Sequence, residues 1–491
     1  MHRLSGEDAG FLLMDRPGQP MNSMAIGVLT GEHATLTLDV VRAHLAARLD
    51  ELPSWRWRIV PVPGHLHHPV AVRDADFDLD AHVREVEVAG GQRELEAWFA
   101  ALAEEHLPTD RPLWQVWLVT GLDDGDQALV VKYHHALADG VAAITTLSRV
   151  FSDLPLEPPA AEPGAGPGAW RPERSPRGPR LVLAALWAWL VALVALPALL
   201  ARTVGAVRRV RAERERQEQE LAERGGAPLP EGSGDAPRTS LNVAPSAPTA
   251  GRRVYARAAL ELADLKTVKE AAGVTLNDAV MGVVAGACVR LLAGRGETPD
   301  RPLLTTVPMA AEPPGAPVRQ FGNRFWAYTA PLATDVVDPW ERLQRIAQVS
   351  AAGKQRLQAL GVDLVPAWLD VIPPGLARRG VEGSLERLSD VDADVDASIL
   401  VSNVRGPSQP WSIGGRVFSD LHLDGPPSNG VGCNVMVWSY GERMLLGILA
   451  YADALPDPGE LVRALEESCA ELVAAARASS GVGAVADRRR E

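Results

Sequence analysis

The sequence predicts an α/β (α+β) protein built as two halves with a long helical insert between them. Three observations carry that reading. Helical and strand patterns alternate up to about residue 155, and a fresh alternation runs from about residue 252 to 478. Between them the composition shifts abruptly to Pro, Gly and Arg around one uncharged apolar run. At 491 residues the chain is too long for one hydrophobic core, so two domains of ordinary size are expected. Its 46% hydrophobic content excludes disorder throughout, and a formal charge of −13 argues against nucleic acid as a partner.

The elements follow in order. Residues 38–52 place Leu38, Val41, Leu45, Leu49 and Leu52 on one helical face, and residues 94–107 do the same with Leu95, Trp98, Phe99 and Leu102. WQVWLV (114–119) and ALVVKY (128–133) read as paired strands around the turn GLDDGD, and 141–151 returns to helical spacing. Residues 155–180 and 225–251 are too rich in Pro, Gly and Ser to bury a core and read as linkers. Later strands are expected at 303–308, 398–404, 434–440 and 444–450, and a closing helix aligns Leu461, Leu465, Cys469 and Leu472. The expected division is 1–158, an insert over 159–250 with an apolar helix 181–201 and an Arg-rich helix, 251–482, and a disordered tail 483–491. Cys288, Cys433 and Cys469 stand far apart in no C-x-x-C pattern, which fits a reducing compartment. The opening MHRLSGEDAGFLLMD has no apolar core of signal-peptide length, so a cytoplasmic location is expected.

The chemistry concentrates where ALVVKY runs into His134-His135-Ala136-Leu137-Ala138-Asp139-Gly140 and then a helix. Neutral imidazole is suited to taking a proton near pH 7. Gly140 permits a tight backbone path, and Asp139 can cap the helix or fix the loop. Alone, a seven-residue pattern fits structural histidines about as well as a catalytic base. Asn277 can orient substrate or support an oxyanion, and Thr275-Leu276-Asn277-Asp278 can equally be a helix cap; both readings stay open. No G-x-S-x-G elbow offers a nucleophile. His65, His67 and His68 lack the ligand spacing of a defined metal site, so neither metal nor cofactor is expected. Trp55, Trp57, Trp98, Trp114, Trp117 and Trp438 are expected in the core or a channel wall.

The histidine motif resembles the active-site signature of the chloramphenicol acetyltransferase-like CoA-dependent acyltransferases. The whole chain resembles the bacterial wax ester synthase/diacylglycerol acyltransferase family. The blocks that carry this are LSGEDAGFLLMDRPGQPMNSMAIGVL with Asp8, Phe11 and Pro20-Met21, then Pro112-Leu113-Trp114, and Thr275 to Val280. FGNRFWAYTAPL (321–332) with Asn323 and Arg324, VSNVRGPSQP (401–410) with Ser402 and Asn403, and YADALPDPGEL (451–461) complete them. VPMAAEPPG (307–315) and GVGCNVMVWSY (430–440) depart from the family pattern and bear on substrate preference. The resemblance implies two mixed-sheet domains with a tunnel between them and His135 at its centre. His135 would be the general base for an alcohol attacking acyl-CoA, with His134 supporting the loop. Asp139 would hold the loop through a basic residue elsewhere. Asn277, Asp278, Asn323, Arg324, Ser402 and Asn403 would orient substrate or fix loops. The implied partners are acyl-CoA and diacylglycerol or a fatty alcohol. A condensation-type acyltransferase and an inactive lipid-binding protein are the alternatives.

Leu181 to Ala201 has no charged residue in 21 positions, long enough for a bilayer at about 1.5 Å per residue. A single span would put the two halves on opposite sides of a membrane and abolish a shared site. An interfacial helix is the expectation instead, since Arg171 to Arg216 carries ten Arg against three acids. Residues 175–216 would thus attach the protein peripherally to the inner face of a membrane or to lipid droplets.

Overall fold

In a computed structural model, which describes residues 1–30, 36–153, 172–174, 176–223, 236–245, 251–312, 319–390, 392–428 and 430–487, two mixed sheets organise the chain. The five-stranded sheet runs Asp420–Asp424, Asn22–Leu29, Gln127–His134, Trp114–Leu122, Val83–Gly90, and only its last junction is parallel. Asn22–Leu29 is buried at every position, with an unbroken apolar run over 24–29 after the buried polar pair Asn22 and Ser23. Val83–Gly90, at the edge, alternates between covered and more exposed positions. The six-stranded sheet runs Phe325–Pro331, Leu304–Ala310, Ile399–Val404, Cys433–Tyr440, Arg443–Tyr451, Arg253–Glu261, with Ile399–Val404 parallel to both neighbours. The helices Leu276–Gly294 and Pro458–Asp487 pack together in its core. Leu276–Gly294 is apolar and long enough to cross a membrane, but 72% of its apolar window is buried, so its hydrophobicity serves the core.

The halves are interleaved. Asp420–Asp424 comes from the C-terminal half yet pairs antiparallel with Asn22–Leu29, in register from Asp420 with Val28 to Asp424 with Met24. One apolar cluster accordingly joins Ala25, Leu29 and Val131 to Phe418, Leu421, Trp438 and Leu445. Residues on both sides of position 250 therefore contribute to the N-terminal sheet and its core.

Three expectations change. Residues 236–245, read as linker, are tied down: Ala236 bridges to Val395, Leu241 is fully buried, and the Asn242 amide donates to the carbonyls of Ala397 and Gly430. The closing helix reaches Asp487, so residues 483–487 are helical rather than tail. The apolar and Arg-rich segments form one helix, Gly178–Glu223, that continues through Pro197. Residues 155–171, 224–235 and 246–250 of the linkers, 313–315 of the VPMAAEPPG block, and 488–491 lie outside the described residues.

That helix straps the two halves. Near its start Leu181 and Ala185 pack on Val62, Val70 and Val72, and the Trp189 indole donates to the Leu66 carbonyl at 2.7 Å. Further along, Leu199 and Ala206 pack on Leu364, and the Trp368 indole donates to the Thr203 hydroxyl at 2.9 Å. By length and composition alone this helix is long and apolar enough to cross a membrane, and 11% of its apolar window is buried. Its other side stays bare: Leu183, Trp187, Leu193 and Val194 are 68%, 67%, 66% and 75% exposed.

Candidate active site

His134 ends the strand Gln127–His134, which is paired on both sides, so the backbone entering the motif is held firmly. The His134 N–H donates to the Leu113 carbonyl and the His135 N–H to the Met21 carbonyl. Pro112, Leu113 and Trp114 are buried beside it. Trp114 donates from its indole to the Trp55 carbonyl and stacks on His82 at 4.3 Å. These three residues buttress the strand end.

Both His134 ring nitrogens are committed. Nε2 lies 2.9 Å from Asp15 Oδ2, and Nδ1 accepts the Ala136 N–H at 3.0 Å. His135 is held differently. Its ring stacks on Phe11 at 4.0 Å and 15°, and its Nδ1 lies 3.2 Å from Asn323 Oδ1. The Asn323 Nδ2 donates to the His135 carbonyl at 2.9 Å and to Asp8 Oδ1 at 2.8 Å. With the amide nitrogen spent on two acceptors, Oδ1 is the end that faces the ring, and this assignment puts the proton on Nδ1. Nε2 is left with its lone pair. Burial, the largest influence, pushes the imidazole below its ordinary pKa of 6.5 and keeps it neutral.

Asp139 does not touch His135. Its Oδ1 accepts the N–H groups of Val141 and Ala142, capping the helix Gly140–Val150. Its Oδ2 accepts the Arg324 N–H at 2.7 Å and pairs with Arg319 at 2.5 Å, and Arg319 also holds Glu312 at 2.6 Å. Gly140 sits where the halves meet, since a Cβ there would lie 3.0 Å from the Val404 side chain. The turn Gly322–Phe325 closes the same seam. The Gly322 N–H donates to Leu137, Asn323 N–H to Asp8 and Arg324 N–H to Asp139. Phe325 N–H supplies a backbone hydrogen bond to Glu7. Burial raises the Glu7 carboxyl to about 7, with Asp8 and Asp139 adding to the effect.

The remaining predicted residues fall elsewhere. The Arg324 guanidinium pairs with exposed Asp363, so the backbone of Arg324 and not its charge serves the seam. Asp278 forms a capping box with Thr275. Asn277 accepts from Asn403 Nδ2 at 3.3 Å, a polar pair hydrogen-bonded within itself. Ser402 lies half-buried in the strand Ile399–Val404. His67 and His68 are structural: His67 accepts the His68 N–H and faces Trp189, while His68 Nε2 bonds the Leu369 carbonyl. Among the described residues no group of three or more His, Cys, Asp or Glu could hold a metal ion. Beside the motif, Trp55, Leu137, Ala143 and Leu147, with Thr146 and Gln320, line a narrow cleft with room for about one water.

Asp15, Arg319 and Glu312 were not singled out from sequence as site residues. Asp8 and Phe11 stand in the opening block quoted above, but only the fold brings that helix, Gly6–Met14, against the histidines.

Comparison with known proteins adds a second line. The model of the wax ester synthase/diacylglycerol acyltransferase catalytic domain matches residues 4–280, and that of the C-terminal domain matches 321–473. The chain belongs to this family. Among its relatives, a Mycobacterium tuberculosis protein named as a diacylglycerol O-acyltransferase is 33% identical over 98% of each chain. Another of that name and organism is 31% identical over 94% of this chain and 93% of its own. The fold matches that of the wax ester synthase/diacylglycerol acyltransferase from Marinobacter aquaeolei, with a TM-score of 0.64 at 24% identity, over 97% of this chain and all of that one. It also matches a mutant starter condensation domain of rhizomide synthetase in complex with C8-CoA and Leu-SNAC, with a TM-score of 0.53 at 14% identity, over 97% and 94%.

Proposed function

We propose that this family member is an acyl-CoA-dependent O-acyltransferase acting on diacylglycerol or a long-chain alcohol, with His135 as general base. The observation that carries the assignment is the hydrogen-bond state of His135: Asn323 holds Nδ1 as a donor, and Nε2 keeps a free lone pair. Nε2 takes the proton of the acceptor hydroxyl as its oxygen attacks the thioester carbonyl. The tetrahedral intermediate then collapses with loss of the C–S bond, and the imidazolium returns the proton to the CoA thiolate. Ester and free CoA leave, with no acyl-enzyme. A thioester is already activated, so a base and oxyanion donors suffice. Asp139 and Arg319 hold the seam and take no part in proton transfer. Incubating the protein with palmitoyl-CoA and either diacylglycerol, hexadecanol or no acceptor tests this reading. Triacylglycerol or wax ester with stoichiometric free CoA is expected; absence of both esters overturns it.

The bare side of Gly178–Glu223 is the surface we assign to lipid. Its exposed leucines, valines and Trp187 lie in an insert of about +7, and each arginine near an anionic membrane adds roughly 1 kcal/mol. Deleting the helix would also uncover Val62, Val70 and Leu364, so substitution is the cleaner test. Changing Leu183, Trp187, Leu193 and Val194 together to serine should lower binding to phosphatidylglycerol vesicles at least tenfold, from lost apolar burial of about 1 kcal/mol or more per residue. CoA release from water-soluble substrates should stay unchanged. Equal vesicle partition of variant and parent would remove the lipid assignment.

A further inference from the structure

Asp15 and His106 are not used by the reaction scheme, yet they are built into its support. Asp15 follows the helix Gly6–Met14, and its N–H donates to the Phe11 carbonyl. Its carboxylate receives three groups. His106 Nδ1 lies 2.6 Å from Oδ1, His134 Nε2 lies 2.9 Å from Oδ2, and the Met21 N–H donates to Oδ2 at 3.3 Å. Burial alone would raise the Asp15 pKa, but the His134 hydrogen bond and the two imidazoles outweigh it, and the net shift is downward. An ionised carboxylate only accepts, so the facing His134 nitrogen must carry hydrogen. That frees His134 Nδ1 to accept the Ala136 N–H, which lies in the turn His135–Leu137. The opposite tautomer would set donor against donor there. The same carboxylate also reaches His135 from the other side, because Met21 accepts the His135 N–H at 2.8 Å.

We propose that Asp15, shared between His106 and His134, is a positioning residue that fixes the His134 tautomer and through it the backbone that presents His135. The inference rests on His135 being the base. The test compares Asp15→Asn, whose carbonyl can still accept from His134, with Asp15→Leu, which cannot. With palmitoyl-CoA and hexadecanol, Asp15→Leu should lose roughly 30- to 100-fold in kcat with the KM for acyl-CoA within about twofold, whereas Asp15→Asn should stay within about fivefold. Near-ultraviolet circular dichroism confirms the fold of each. Histidine-selective 15N NMR of the unaltered protein supplies a reading that does not depend on either variant folding. His134 should show a protonated Nε2 and an unprotonated Nδ1. A kcat for folded Asp15→Leu within threefold of the parent overturns the proposal, as does an equal loss in Asp15→Asn or a protonated His134 Nδ1. An active His135→Ala enzyme would instead remove the base assignment on which the inference stands.

Discussion

Replacing His135 by alanine will leave a folded protein whose turnover falls by two to four orders of magnitude, the usual worth of a positioned general base. The fold should survive because the contacts that shape this turn are made by the main chain. The His135 N–H still reaches Met21, and its carbonyl still accepts from Asn323. The parent enzyme should show the matching pH dependence. A base works only when neutral, and burial holds this imidazole below 6.5. The acidic limb of kcat/KM should therefore lie below pH 6.5, with a plateau above it. CoA release measured across pH for the parent and His135→Ala checks both; near-parental activity in the variant would show that the proton goes elsewhere.

Asp139→Ala should act on stability. It removes the helix cap, the acceptor for Arg324 N–H and one of the two carboxylates that hold Arg319, whose side chain is 21% exposed. Breaking a largely buried pair in this way costs about 3–5 kcal/mol. For a cooperative chain of this length that is a fall of roughly 3–5 °C in the thermal midpoint. Arg319→Ala should reproduce part of the loss, and the double variant should fall short of the sum because the two share one interaction. Asp139→Asn should lose less, since asparagine caps helices well. Calorimetry reads all four. An unchanged midpoint with abolished turnover in Asp139→Ala would assign the carboxylate to the chemistry instead.

The α/β class, six of the strands and the histidine motif were legible because each is written in contiguous residues, whereas Asn22–Leu29, Val83–Gly90, Arg253–Glu261 and Phe325–Pro331 were not legible as strands. Partners were not. Asn323 is 188 positions from His135, Arg319 is 180 from Asp139, and Asp15 is 119 from His134. Spacing carries no information at those separations; only the pairing of sheets does. DLHLD (420–424) escaped notice for a local reason. It is five residues long with an acid at each end, and nothing in it signals that His422 and Asp424 are buried. The segment 236–245 escaped because its composition resembles a linker, while a few side chains such as Leu241 and Asn242 tie it to the C-terminal core.

The borrowed strand also sets a timetable for synthesis. Asn22–Leu29 leaves the ribosome ~400 residues before its neighbour Asp420–Asp424. At ~5–20 residues per second that interval is roughly 20–80 s. Throughout it the N-terminal sheet has an unpaired edge on a strand that is buried at every position in the finished protein. Such an edge is a template for pairing with other chains. The sheet that carries the histidines is thus completed only once residue 424 has been made. A fragment that ends before residue 420 leaves that edge without its native partner.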